Sequence, residues 1–203
     1  MISRVCIFGF GGVLFDTRTA YGNGLGLAFE SVDDVYDPSE FDECSSMSLQ
    51  GLFGLRYKEH PCKYREFVAE FLKGFEKDFP DSGPFHETVG TVKALHERGI
   101  VMGIVTESYE EPVRDLLEKH GIRDCFRSIV GFERSVLRRP DPYPLNLCVK
   151  ELNADPEDVV YVGCKPAALS AADGTGIGKI KLNRSDVRTS SKGTIRDLAD
   201  LLL

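Results

Sequence analysis

Four short runs of unbroken apolarity punctuate the chain: Val5-Cys6-Ile7-Phe8, Ile100-Val101-Met102-Gly103-Ile104-Val105, Ser128-Ile129-Val130 and Val159-Val160-Tyr161-Val162. A weaker fifth, Lys179-Ile180-Lys181-Leu182, follows. Continuous rather than alternating apolarity, rich in β-branched residues and bounded by turn formers, marks strands that are covered on both faces. Helical spacing fills the gaps. Glu87 to Arg98 carries Val89, Val92 and Leu95 on one stripe, with Gly99 as its stop. Ser108 and Glu111 form a capping-box pattern that predicts a helix to His120, ended by Gly121. Pro144 to Leu152, Pro166 to Ala172 and Thr194 to Leu203 predict three more. Strand and helix alternating in this way predict an α/β fold: a doubly wound, Rossmann-like parallel sheet.

Residues 17–84 interrupt that alternation. Their clearest pattern is a helix from Lys63 to Phe79 bearing Tyr64, Phe67, Phe71 and Phe75, and no strand pattern is visible. The expected organisation is therefore a core domain of residues 1–16 and 85–203, with a helical domain of residues 17–84 inserted after the first strand.

Composition narrows the function classes. The 203 residues carry a net charge of −7, which argues against nucleic acid as a partner. No apolar run approaches the roughly 18 residues of a membrane span, and no signal-peptide cleavage pattern follows the first run. Six cysteines without a C-x-x-C pair (Cys6, Cys44, Cys62, Cys125, Cys148, Cys164) read as free thiols in a cytoplasmic protein. The four histidines (His60, His86, His96, His120) show no metal-ligand spacing.

In an open parallel sheet, ligands bind at the carboxyl ends of the strands. The candidates are therefore Gly9-Phe10-Gly11-Gly12-Val13-Leu14-Phe15-Asp16-Thr17, Thr106-Glu107-Ser108, Arg138-Arg139-Pro140-Asp141-Pro142 and Gly163-Cys164-Lys165-Pro166-Ala167-Ala168. A dinucleotide-binding loop at Gly9–Gly12 is an alternative, although the third glycine of that fingerprint would fall on Leu14.

Taken in this order and spacing, these segments resemble the four motifs of the haloacid dehalogenase superfamily, in the branch with a helical cap that holds phosphoglycolate phosphatase and β-phosphoglucomutase. The resemblance implies a phosphatase-type hydrolase using magnesium, with aspartates at positions 9, 11, 164 and 168 and lysine at 139. This chain has Gly9, Gly11, Cys164, Ala168 and Arg139 there, and keeps only Thr106. Glycine offers no nucleophile, and neither thiol nor alanine suits a hard cation. The expectation is thus a homologue without the family's catalytic aspartates or magnesium. Its partner would be an inorganic anion or a phosphorylated small molecule held by Phe10, Gly11, Thr106, Glu107, Arg139 and Lys165, or else a protein. Backbone amides of the glycine turn, Arg139 and Lys165 would supply positive character, helped by helices opening at Ser108 and Pro166. The alternative is an active hydrolase with Glu107, Asp16 or Cys164 as replacement groups. Asp16 also reads as the N-cap of the insertion's first helix.

Overall fold

The computed structural model describes residues 4–134, 141–184 and 193–203. The chain divides into two compact units, Thr17–Ser82 and the remainder. In the larger, six strands form one sheet in the order β5-β4-β1-β6-β7-β8. They are β1 (Val5–Phe8), β4 (Val101–Val105), β5 (Phe126–Val130), β6 (Val159–Gly163), β7 (Gly178–Leu182) and β8 (Thr194–Ile195), all pairing in parallel. β1 is buried throughout, which is why its run never alternates with polar residues. Phe8 faces Ile104 on one side and Val162 on the other. From β1 the chain builds outward to β4 and β5, then crosses back to β6. The reversal of strand order therefore falls at β1, and the crevice at its carboxyl end is where such sheets take ligands.

The helices of this unit are α5 (Thr88–Glu97), α6 (Glu110–Lys119), α7 (Tyr143–Leu152) and α8 (Pro166–Ser170). Under the sheet, Leu145, Cys148, Val149 and Leu152 of α7 pack on Val5, Ile7, Val159 and Tyr161. Burial pushes the Cys6 and Cys148 thiols up to about 12, so both are inert core residues. Gly99 ends α5 at φ 76°, and Asn153 closes α7 in the left-handed region.

Several local expectations fail. α6 has no Ser108 capping box; its N-cap is Tyr109, and the Glu133 carboxylate accepts the Glu110 N–H at 2.9 Å instead. A partner distant in sequence has displaced the local cap. The run from Thr194 is not a single helix but the strand β8 followed by a 3-10 turn at Leu198–Leu202, which Asp197 opens with a true capping box. A two-stranded antiparallel pair, β2 (Phe15–Asp16) and β3 (Gly83–Pro84), also went unseen in the sequence. Strands of two residues are too short to carry a period.

The smaller unit, Thr17–Ser82, contains α1 (Arg18–Glu30), α2 (Phe41–Ser46), α3 (Leu49–Arg56) and α4 (Tyr64–Asp78). Asp16 does not cap α1; Thr17 holds that place and makes no side-chain cap. α1 and α4 meet through glycines. A Cβ on Gly74 would lie 2.7 Å from the Asn23 carbonyl, and one on Gly24 would lie 2.8 Å from the Phe71 carbonyl. The core centres on Phe67, whose ring lies 5.2, 5.8 and 6.1 Å from those of Phe53, Tyr57 and Phe29.

Candidate functional site

The loop leaving β1 is a closed turn built on one carbonyl. Phe10 O accepts from the amides of Val13, Leu14 and Phe15 at 3.2, 2.9 and 3.1 Å, while Gly12 N–H donates to Phe15 O at 2.8 Å. Gly12 sits at φ 75°, and a Cβ there would come within 2.9 Å of Cys164 Sγ. Glycine is required at this position by both backbone conformation and space.

This bonding revises the expected anion nest. Gly9 N–H donates to Val162 O at 2.9 Å, so the Gly9 and Gly12 amides are spent inside the protein. Gly11 N–H is in neither set. A trans peptide directs its N–H opposite to its C=O. With Phe10 O turned into the loop, Gly11 N–H faces away from the loop interior.

Position 9 is enclosed. A Cβ on Gly9 would meet Val13 Cγ2 at 3.2 Å, Tyr161 Oη at 3.3 Å and Val162 O at 3.7 Å. Tyr161 is itself only 1% exposed, which leaves its ring little room to withdraw.

Thr106, at the end of β4, is buried. Its backbone N–H donates to Val130 O at 3.0 Å, and its Oγ1 accepts the Ser108 N–H at 3.1 Å. The hydroxyl proton is then the group it can offer to a ligand. At the end of β6, Cys164 and Lys165 are half-buried, and Cys164 Sγ lies 3.7 Å from Gly11 O as a weak donor. Sheet register sets the ends of β1, β4 and β6 side by side, so Gly11, Thr106 and Lys165 all belong to the same edge. Glu107 and Asp16 are exposed. Arg139, with Arg138 and Pro140, lies outside the described residues.

Two expected helix contributions do not hold. The start of α6 is taken by the Glu133 carboxylate, and α8 is only five residues long. Among the described residues, Glu107 and Asp16 at this edge are exposed carboxylates and Cys164 offers a thiol. Hard cations prefer several convergent oxygens.

Sequence spacing missed a second group of ionisable residues. Glu87, with a side chain 6% exposed, lies 2.6 Å from Arg184 Nη1. Its other oxygen is 3.2 Å from His86 Nδ1, and His86 Nε2 is 3.8 Å from Asp197. Burial opposes ionisation of Glu87, yet nearby backbone amides and the Arg184 guanidinium hold its carboxyl below the usual carboxylate range. His86, Glu87 and Asp197 are the one group of three metal-capable side chains among the described residues, and the His86 side chain in it is exposed. No local signal announces it, because Asp197 comes from the far end of the chain.

Residues 6–181 match the haloacid dehalogenase-like hydrolase family. The phosphoglycolate phosphatase of Rhodospirillum rubrum is 30% identical over 111 residues, 54% of this chain and 46% of that protein. The phosphoglycolate phosphatase of Aquifex aeolicus is 26% identical over 191 residues, 89% of this chain and 88% of that one. The chain thus spans less than half the length of the first relative and most of the second. Among solved structures, one described as a haloacid dehalogenase-like hydrolase from Bacteroides fragilis superposes with a TM-score of 0.87 at 22% identity, covering 98% of this chain and 99% of that one. CbbY from Rhodobacter sphaeroides in complex with phosphate gives 0.76 at 18% identity, covering 98% and 96%. With its six-stranded parallel sheet and a match running from Cys6 to Lys181, the chain belongs to the haloacid dehalogenase-like hydrolase family.

Proposed function

We propose that this protein binds inorganic phosphate or a phosphorylated small molecule at the carboxyl edge of β1, β4 and β6, without the aspartyl chemistry that the family resemblance implies. The observation that carries this reading is the enclosure of position 9. Where the family pattern calls for an attacking carboxylate there is glycine, and a Cβ there would press on Val13 Cγ2 at 3.2 Å and Tyr161 Oη at 3.3 Å. Phosphoryl transfer through a covalent intermediate needs a group there. Gly11 N–H, the Thr106 hydroxyl and the Lys165 ammonium are donors suited to phosphate oxygens. CbbY, which shares this fold, was solved in complex with phosphate, and that supports phosphate as the class of ligand. Magnesium is not assigned to this edge, since its donor set does not fit a hard cation.

Calorimetric titration with inorganic phosphate in the presence of a chelator tests the reading. Binding should persist without metal and should raise the melting temperature, since only a ligand of the folded state stabilises it. Thr106→Val keeps the shape and removes the hydroxyl, and should weaken phosphate at least about tenfold, the loss of one charge-assisted hydrogen bond. Equal phosphate response in both proteins would reduce the effect to general salt exclusion.

A second reading, an active phosphatase, is favoured by the relatives bearing the name phosphoglycolate phosphatase. It would need Glu107, Asp16 or Cys164 to supply the nucleophile. Two of these are exposed, and the thiol of the third is directed at the Gly11 carbonyl.

A further inference from the structure

We propose that Arg184 is a positioning residue for the turn after β1, fixing the direction of the Gly11 N–H from outside the ligand edge. The inference rests on the phosphate-binding reading above. The Gly9–Phe15 turn satisfies its inner groups through Phe10 O and leaves two successive carbonyls facing outward, those of Val13 and Leu14. Both are captured. Leu14 O accepts from Phe85 N–H at 3.1 Å and from the buried Thr88 hydroxyl at 2.8 Å. Val13 O accepts from Arg184 Nη2 at 2.8 Å.

The two captures differ in kind. Leu14 is held by a backbone amide and a short side chain that belong to the start of α5. Val13 is held by a long side chain arriving from beyond β7, so the hold is only as good as the hold on Arg184 itself. That residue is fixed twice more. Its Nη1 lies 2.6 Å from Glu87 Oε1, and its guanidinium carbon stands 3.7 Å from the centroid of the Phe85 ring. Three constraints on a planar fork leave one orientation, and a lysine ammonium could not reproduce them.

The consequence falls on Gly11 and Gly12. Two adjacent glycines have the widest backbone freedom available, so an untethered turn would lose more entropy when a ligand orders it. Pinning Val13 O removes one end of that freedom before phosphate arrives, which is preorganisation of a donor rather than contact with the ligand. Arg184 thereby contributes to affinity through Gly11 and without touching phosphate.

The test compares wild type, Arg184→Lys and Arg184→Met. Phosphate affinity is measured by calorimetry at low and high ionic strength, melting temperature is recorded without phosphate, and ¹⁵N relaxation is recorded for the Gly11 and Gly12 amides. Both variants should bind phosphate about tenfold more weakly at either ionic strength, because a positional effect is not screened by salt. Both should show faster Gly11 and Gly12 motion in the absence of ligand. Wild-type affinity in Arg184→Lys would reduce the role to charge and overturn the proposal. So would unchanged Gly11 and Gly12 relaxation in both variants. Absence of phosphate binding in wild type would remove the phosphate-binding reading instead, while the relaxation comparison would still decide whether Arg184 orders the turn. If Arg184→Met does not fold, Arg184→Lys alone carries the comparison.

Discussion

Glu87→Ala is expected to lower the melting temperature by about 5–10 °C, the shift that about 2–3 kcal/mol produces in a chain of this size. Glu87 is 6% exposed, and Arg184, with a side chain 24% exposed, is its partner at 2.6 Å. Removing the carboxylate leaves the guanidinium with Val13 O and the Phe85 ring as its partners among the described residues. Breaking one side of a fully buried pair costs about 3–5 kcal/mol, and the partial exposure of Arg184 trims that figure. The same pair makes stability depend on pH with a definite sign. The folded-state pKa of Glu87 lies below its ordinary value of 4.5. Its contribution is therefore complete above pH 4.5 and is lost as pH falls through the folded value. Thermal melts between pH 3 and 7 should show wild type losing stability in the acid range more steeply than Glu87→Gln. Parallel curves for the two proteins would mean that the carboxylate is not held as described.

Gly9→Asp should destabilise the protein by about 1–3 kcal/mol and produce no phosphatase. The new Cβ meets Val13 Cγ2 at 3.2 Å and Tyr161 Oη at 3.3 Å, so a fully buried tyrosine must move. The introduced carboxylate would also bring a negative charge to a largely buried position. The double variant Gly9→Asp/Tyr161→Phe removes one of the three obstructing atoms and should recover part of the loss, a non-additivity expected of residues in contact. Additive losses would show that Tyr161 does not enclose position 9. Adding Gly11→Asp, Cys164→Asp and Ala168→Asp to Gly9→Asp is the only combination expected to restore any turnover, because such groups act as a unit.

Where burial on both faces writes an element into the chain, the sequence shows it plainly. β1, β4 and β6 are such elements, and the three segments that follow them lead to the edge described above. The register that sets Phe8 between Ile104 and Val162 follows from that layering, so the neighbourhood of Gly11, Thr106 and Lys165 was legible. The hydrogen-bond economy within the edge was not. Nothing in Gly9-Phe10-Gly11-Gly12 reveals that the Phe10 carbonyl accepts three amides while the Gly9 and Gly12 amides are bonded inside the protein. Long-range partners were equally hidden. Glu133 displaces the local cap of α6, and Arg184 and Asp197 come from beyond β7 to meet Glu87. Periodicity reports which face an element buries, but not which distant side chain completes a site.

A phosphate site without the family's covalent chemistry is decided by turnover of an aryl phosphate and of a panel of phosphorylated metabolites, with magnesium and with chelator. No hydrolysis above the protein-free control is expected in either condition. Magnesium-dependent turnover on the order of 1–1000 per second, the range of ordinary enzymes, would contradict it.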